Sequence, residues 1–121
     1  MTWTLRRPQD TGWRKLVPLG TVTGDLWMKR SGPLVELATR AVVPGAAGVV
    51  DLVTIPVGFQ PHAASSTRLG TLSTDANVAA MASYFSGKFR VINGTATGAF
   101  GGRILWTTSD PWPSSLPGSA A

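Results

Sequence analysis

At 121 residues the chain has the size of one domain, large enough for a single hydrophobic core and too small for a second, catalytic one. Hydrophobic residues make up 43% and charged residues only 14%, against roughly a quarter in ordinary soluble domains, so part of the surface is expected to be covered by copies of itself or by a partner. There are no cysteines, which excludes disulfides and thiolate metal sites, and the formal net charge is +5.

The first twelve residues contain Trp3, Leu5, Arg6, Arg7 and Pro8 without a strand pattern and read as an N-terminal arm. They also lack the apolar run of a signal peptide, and no stretch approaches the roughly twenty apolar residues that span a bilayer. From there to residue 108, Gly and Pro recur at short intervals and leave no room for long helices. Between them lie runs rich in β-branched and aromatic residues: Trp13 to Val17, Asp25 to Arg30, Leu34 to Val43, Val49 to Ile55, Ala64 to Leu72, Val78 to Phe85, Lys88 to Ile92 and Gly102 to Thr108. In the second, Leu26 and Met28 alternate with Trp27 and Lys29. In the third, Val35, Leu37, Ala41 and Val43 oppose Glu36, Ala38 and Arg40, the period of two that puts one face inside.

Ser31-Gly32-Pro33 and Ser86-Gly87 read as tight turns between antiparallel neighbours. Residues 75–85 carry a competing helical signal, since Ser73-Thr74-Asp75 could cap a helix with Val78, Met81, Ala82 and Phe85 on one face. Strand is preferred because the turn after Phe85 needs an extended partner for Phe89 and Val91. Residues 109–121, SDPWPSSLPGSAA, hold three prolines and read as a C-terminal arm without regular pairing. The expectation is therefore an all-β protein, a single antiparallel β-sandwich or jelly-roll-like domain over 13–108 with an arm at each end.

Groups able to carry catalysis are few. The one histidine, His62, follows Pro61 in a loop and reads as a surface imidazole; no Gly-x-Ser-x-Gly elbow surrounds Ser65-Ser66; the glycines at 94, 98, 101 and 102 lack the Gly-Lys-Ser/Thr of a phosphate loop. No catalytic residue, cofactor or metal is expected, and the protein is read as non-enzymatic. Basic residues are scattered as singles and pairs rather than forming a tract, which points away from nucleic acid and toward a mild attraction to acidic surfaces. Of the five tryptophans, Trp27, Trp106 and Trp112 could stack on sugar rings, though Trp27 and Trp106 lie in strand-like runs and read first as core or interface residues. Trp3 and Trp112, in the arms, are natural anchors for a partner's pocket, and Leu5, Arg6, Arg7 and Leu116 share those arms.

At Ile55-Pro56-Val57-Gly58-Phe59-Gln60-Pro61 the chain resembles the LPxGFRP element of bacteriophage tail-fibre tips and related virion proteins, with Ile55 in place of Leu and Gln60 in place of Arg. The opening Gly12-Trp13-Arg14-Lys15-Leu16, the stretch Leu26 to Leu37, the hairpin from Asn77 to Ile92, the strand ending Ile104-Leu105-Trp106 and the close Asp110 to Gly118 are also similar to that group, as found in phages of actinobacteria. As a turn the motif makes physical sense: Pro56 fixes φ, Gly58 permits a positive φ, Phe59 plugs the core and Pro61 ends the excursion. The resemblance implies a β-sandwich or jelly-roll, usually trimeric about a three-fold axis and carried on the virion surface; synthesis in the host cytoplasm is expected from the lack of a signal-like run. A tail-fibre tip ordinarily follows a shaft on the same polypeptide, so the expectation here is a capsid decoration protein bound to the major capsid protein. The alternative is a tail protein that binds a host surface glycan through aromatics and the loops 62–75 and 94–102. Neither nucleic acid nor membrane is an expected partner.

Overall fold

The structure is a computed structural model that describes residues 9–62, 66–76, 78–94 and 98–121. Among these residues nine strands appear in chain order: β1 (Arg14–Leu16), β2 (Thr23–Ser31), β3 (Leu34–Val43), β4 (Gly48–Thr54), β5 (Ser66–Thr74), β6 (Ala79–Phe85), β7 (Lys88–Gly94), β8 (Phe100–Thr107) and β9 (Ser119–Ala120). No helix occurs among the described residues. They form one antiparallel sheet in the order β4-β7-β6-β5-β8-β3-β2-β1-β9.

The sheet is curled rather than flat. Among the described residues the strand pairing that joins its two halves is that of β5 with β8, through Ser73 opposite Gly101 and Thr74 opposite Phe100. The far ends approach each other again, since the Leu19 amide, just past β1, donates to the Leu52 carbonyl on β4 at 2.9 Å. That contact gives a partner to a carbonyl on the edge strand, where unpaired groups invite wrong partners. Leu26, Met28, Val35, Leu37 and Ile104 from one half and Leu52, Leu72, Phe89 and Val91 from the other are buried in one continuous core.

Residues 79–85 are extended and pair with β7 from Met81 opposite Ile92 to Phe85 opposite Lys88. The helical alternative fails because inward Ala80, Ala82 and Tyr84 follow a period of two. The turn after Phe85 is built from Ser86 and Gly87, both at positive φ (48° and 81°), the geometry that matches strand twist.

In β3 the inward residues are Val35, Leu37, Thr39 and Val42, so the expected placement of Ala41 and Val43 on the inner face does not hold. The cause is a bulge. Arg40 and Ala41 both face out, Ala41 takes φ 52°, and the register slips against β2 between Thr23 and Asp25 and against β8 between Thr39 and Val42. Gly24 sits in the slip at φ 110°, where a Cβ would run into the Ala41 carbonyl.

The C-terminal segment also differs from an unpaired arm. Arg14 donates through Nε to the Pro117 carbonyl (2.9 Å) and through a terminal nitrogen to Gly118 (3.3 Å), and Ser119 and Ala120 pair with Lys15 and Arg14 as β9. The prolines end at 117, so nothing prevents a short ladder beyond them.

Candidate functional site: the motif turn and the C-terminal segment

The motif turn and the C-terminal segment, 50 residues apart in sequence, are built into one unit. Its centre is Arg30. Period two places Arg30 in phase with Leu26 and Met28, so its side chain leaves β2 on the inner side and is only 6% exposed. Ion pairs among the described residues do not include Arg30. Its guanidinium instead donates to backbone carbonyls: Nε to Gly32 (2.8 Å), one terminal nitrogen to Gly58 (2.6 Å) and Pro111 (3.0 Å), the other to Asp110 (2.9 Å). A rigid fork of donors is suited to tying three separate chain segments together. Trp112 covers the cation, with its ring 5.0 Å from the guanidinium carbon.

Asp110 completes the knot from the other direction. One carboxylate oxygen accepts from the Gly58 amide (2.9 Å) and the Gln60 amide (3.1 Å). Charge-assisted bonds of this kind are roughly twice as strong as neutral ones. The turn itself has the expected form: Gly58 has φ 100°, and a Cβ there would strike Pro113. Phe59 is fully buried and its carbonyl accepts from the Trp106 indole at 2.6 Å. Gln60 reaches back to the Ile55 carbonyl (3.3 Å), so the departure from Arg at this position leaves the turn closed.

What the knot presents outward is apolar and proline-rich. A shallow depression of about 450 Å³ is lined by Pro56, Val57, Pro111, Trp112, Pro113 and Pro117, with Ser114 and Ser115. Val57 at its rim is 75% exposed, and Leu116 is 46% exposed. Prolines and a β-branched residue lose little side-chain freedom on being covered, so this surface is already ordered for contact.

The residues singled out from sequence are thus partly brought together. Pro56, Gly58, Phe59 and Pro61 of the motif and Trp112 of the C-terminal segment belong to one unit, and Leu116 lies next to it in the chain. Trp112 stacks on its own chain's Arg30 rather than extending freely. Trp3, Leu5, Arg6 and Arg7 lie outside the described residues. Trp106 is buried against Phe89 and is removed from any sugar-stacking role, whereas Trp27 faces outward on the sheet. His62 is exposed, and residues 66–74, expected in part as a glycan-binding loop, are strand β5. Sequence reasoning passed over Arg30 and Asp110 as anchors. The signal for Arg30 was its phase with Leu26 and Met28.

Protein-family models, curated proteins and solved structures were compared with the chain, and none matches.

Proposed function

We propose that the chain is a non-enzymatic structural protein of a bacteriophage virion, and within the virion a capsid decoration protein that binds the outer head surface as a trimer. The observation that carries this reading is the rigid apolar end: Val57, Trp112, Pro113 and their neighbours are held in place by a buried arginine whose work is structural. A surface fixed before contact suits docking, since little ordering entropy remains to be lost. The likeness read in residues 55–61 to virion proteins supplies the context, and Pro56 and Val57 of that motif line one side of the proposed docking end. Remaining exposed apolar residues, including Val17 and Leu105, are available to contacts between copies about a three-fold axis. Such a protein acts by mass action, because contacts that exist only on the closed shell stabilise that shell.

A tail-tip protein that binds host glycan is the second reading, supported by the outward-facing Trp27. Gold-labelled antibody on intact particles separates the two: label over the head is expected, and label confined to the tail end would transfer the assignment to adsorption. Val57→Asp places an unpaired charge on the docking end without touching the core, and is expected to abolish binding to undecorated heads at unchanged melting temperature.

A further inference from the structure

The outer face of β2, β3 and β8 carries a second feature that shares no lining residue with the docking end. Trp27, Ala38 and Arg103 stand opposite one another across the three strands. Ala38, between two large side chains, leaves a trough floored by itself and Gly102 and walled by Trp13, Trp27, Arg40 and Arg103, about 580 Å³ in volume. Cations hold the indoles in place: Arg40 lies 5.4 Å from the Trp27 ring, and Lys29 and Arg103 each lie 5.9 Å from Trp13.

We infer that this trough is a binding site for a neutral pyranose glycan. The charge pattern selects the ligand. Among the described residues each cation at the trough has a carboxylate: Arg40 pairs at 2.7 Å with Asp25, which Lys15 also approaches at 3.4 Å, Arg103 pairs with Glu36 at 3.1 Å, and Lys29 with Asp10 at 3.4 Å. A site for a phosphate, sulfate or uronate would need cations not so matched. The planar guanidinium donors of Arg40 and Arg103, each paired with a carboxylate, can meet sugar hydroxyl groups, while indole faces cover the apolar faces of sugar rings. The volume is that of a small-ligand site. A protein partner is a poorer fit, because two indoles over an alanine and a glycine fall far short of the roughly 800 Å² per side of a standard interface.

The test is titration of the intact protein with neutral hexose and N-acetylhexosamine tetrasaccharides, and in parallel with polyuronate and sulfated oligosaccharides, followed by tryptophan fluorescence and by NMR of the indole N–H signals. The companion variants are Trp27→Ala and Ala38→Gln, the latter filling the floor with an outward side chain that leaves the core untouched. Expected is saturable binding of at least one neutral tetrasaccharide, insensitive to salt, shifting the Trp13 and Trp27 signals, and weakened roughly tenfold or more by either variant at unchanged melting temperature. Binding of the anionic oligosaccharides alone, with affinity falling as salt rises, would overturn the inference. So would unaltered binding in Ala38→Gln, or no neutral sugar bound across the panel. A sugar-binding trough deepens the glycan reading that Trp27 supports, and it fails or holds separately from the docking end: Trp27→Ala is expected to lose sugar and keep the head, Val57→Asp to lose the head and keep sugar.

Discussion

Arg30 shows how a single side chain can set the form of a surface it does not itself reach. A buried guanidinium that satisfies four carbonyl contacts cannot be removed without leaving those carbonyls dry, and each such loss costs about 1–3 kcal/mol. Arg30→Ala is therefore expected to destabilise the fold by about 3 kcal/mol or more, read from urea denaturation, and to release Trp112 into a more solvated fluorescence environment. Trp112→Ala, which removes a half-buried ring, is expected to cost only about 1–2 kcal/mol. At the opposite hairpin the effect runs the other way. Ser86 holds φ 48° before Gly87, a conformation asparagine adopts more readily than serine, so Ser86→Asn is expected to stabilise by about 0.5 kcal/mol.

Two surface carboxylates contribute to the acid response. The Gly12 amide, then the Ser31 hydroxyl and Lys29, hold Asp10 below the ordinary carboxylate range; hydrogen bonds from Arg40, then Lys15, do the same for Asp25. Because each folded-state pKa lies below its unfolded value, near 3.9, the stability they contribute is fully present above that value and is lost as pH falls through the folded pKa. Thermal denaturation is thus expected to be flat from neutrality down to about pH 5 and to fall below about pH 4. Asp25→Asn should lessen that decline.

At the scale of elements, most strands were legible because alternation and turn residues agreed. Leu26 and Met28 against Trp27 and Lys29 mark β2, and Ser86-Gly87 marks the β6–β7 hairpin and tips residues 75–85 toward strand over helix, the form that 79–85 take. The β3 bulge was not legible, because its cause lies in the partner strand: Gly24 on β2 lets the Ala41 carbonyl approach, and an alternation count along β3 alone carries no sign of that. Gly24→Ala is expected to cost about 2 kcal/mol or more and to broaden NMR signals at Arg40 and Val42. The C-terminal strand was missed for a similar reason. Three prolines dominated the reading of 109–121, and the anchoring of Pro117 and Gly118 by Arg14 is a contact between residues about a hundred positions apart. Gly118, at φ 57° with the Lys15 carbonyl where a Cβ would stand, is the hinge of that strand; Gly118→Ala is expected to speed amide exchange at Ala121 while the core amides remain protected.

For the molecule as a whole, composition leads to the expectation of covered surface, and two surfaces of different character stand out among the described residues. The motif end is apolar and proline-rich, with Val57 exposed, whereas the trough over Ala38 is lined by indoles and by two arginines that pair with carboxylates. The candidate site was half-visible in sequence: the residue types of the motif turn were read correctly, but its union with Asp110 and Trp112 depends on Arg30, which composition counts as one more scattered cation. On the proposed account, copies of this domain associate through exposed apolar residues and dock by the motif end. Sedimentation is expected to find trimers rather than monomers.

The most direct measurement is a reconstruction of the phage particle at a resolution that shows side chains. The account predicts density for this fold on the outer head, at the symmetry axes, with Val57, Trp112 and Leu116 turned toward the shell. Heads bare of that density, in particles that contain the protein, would contradict it.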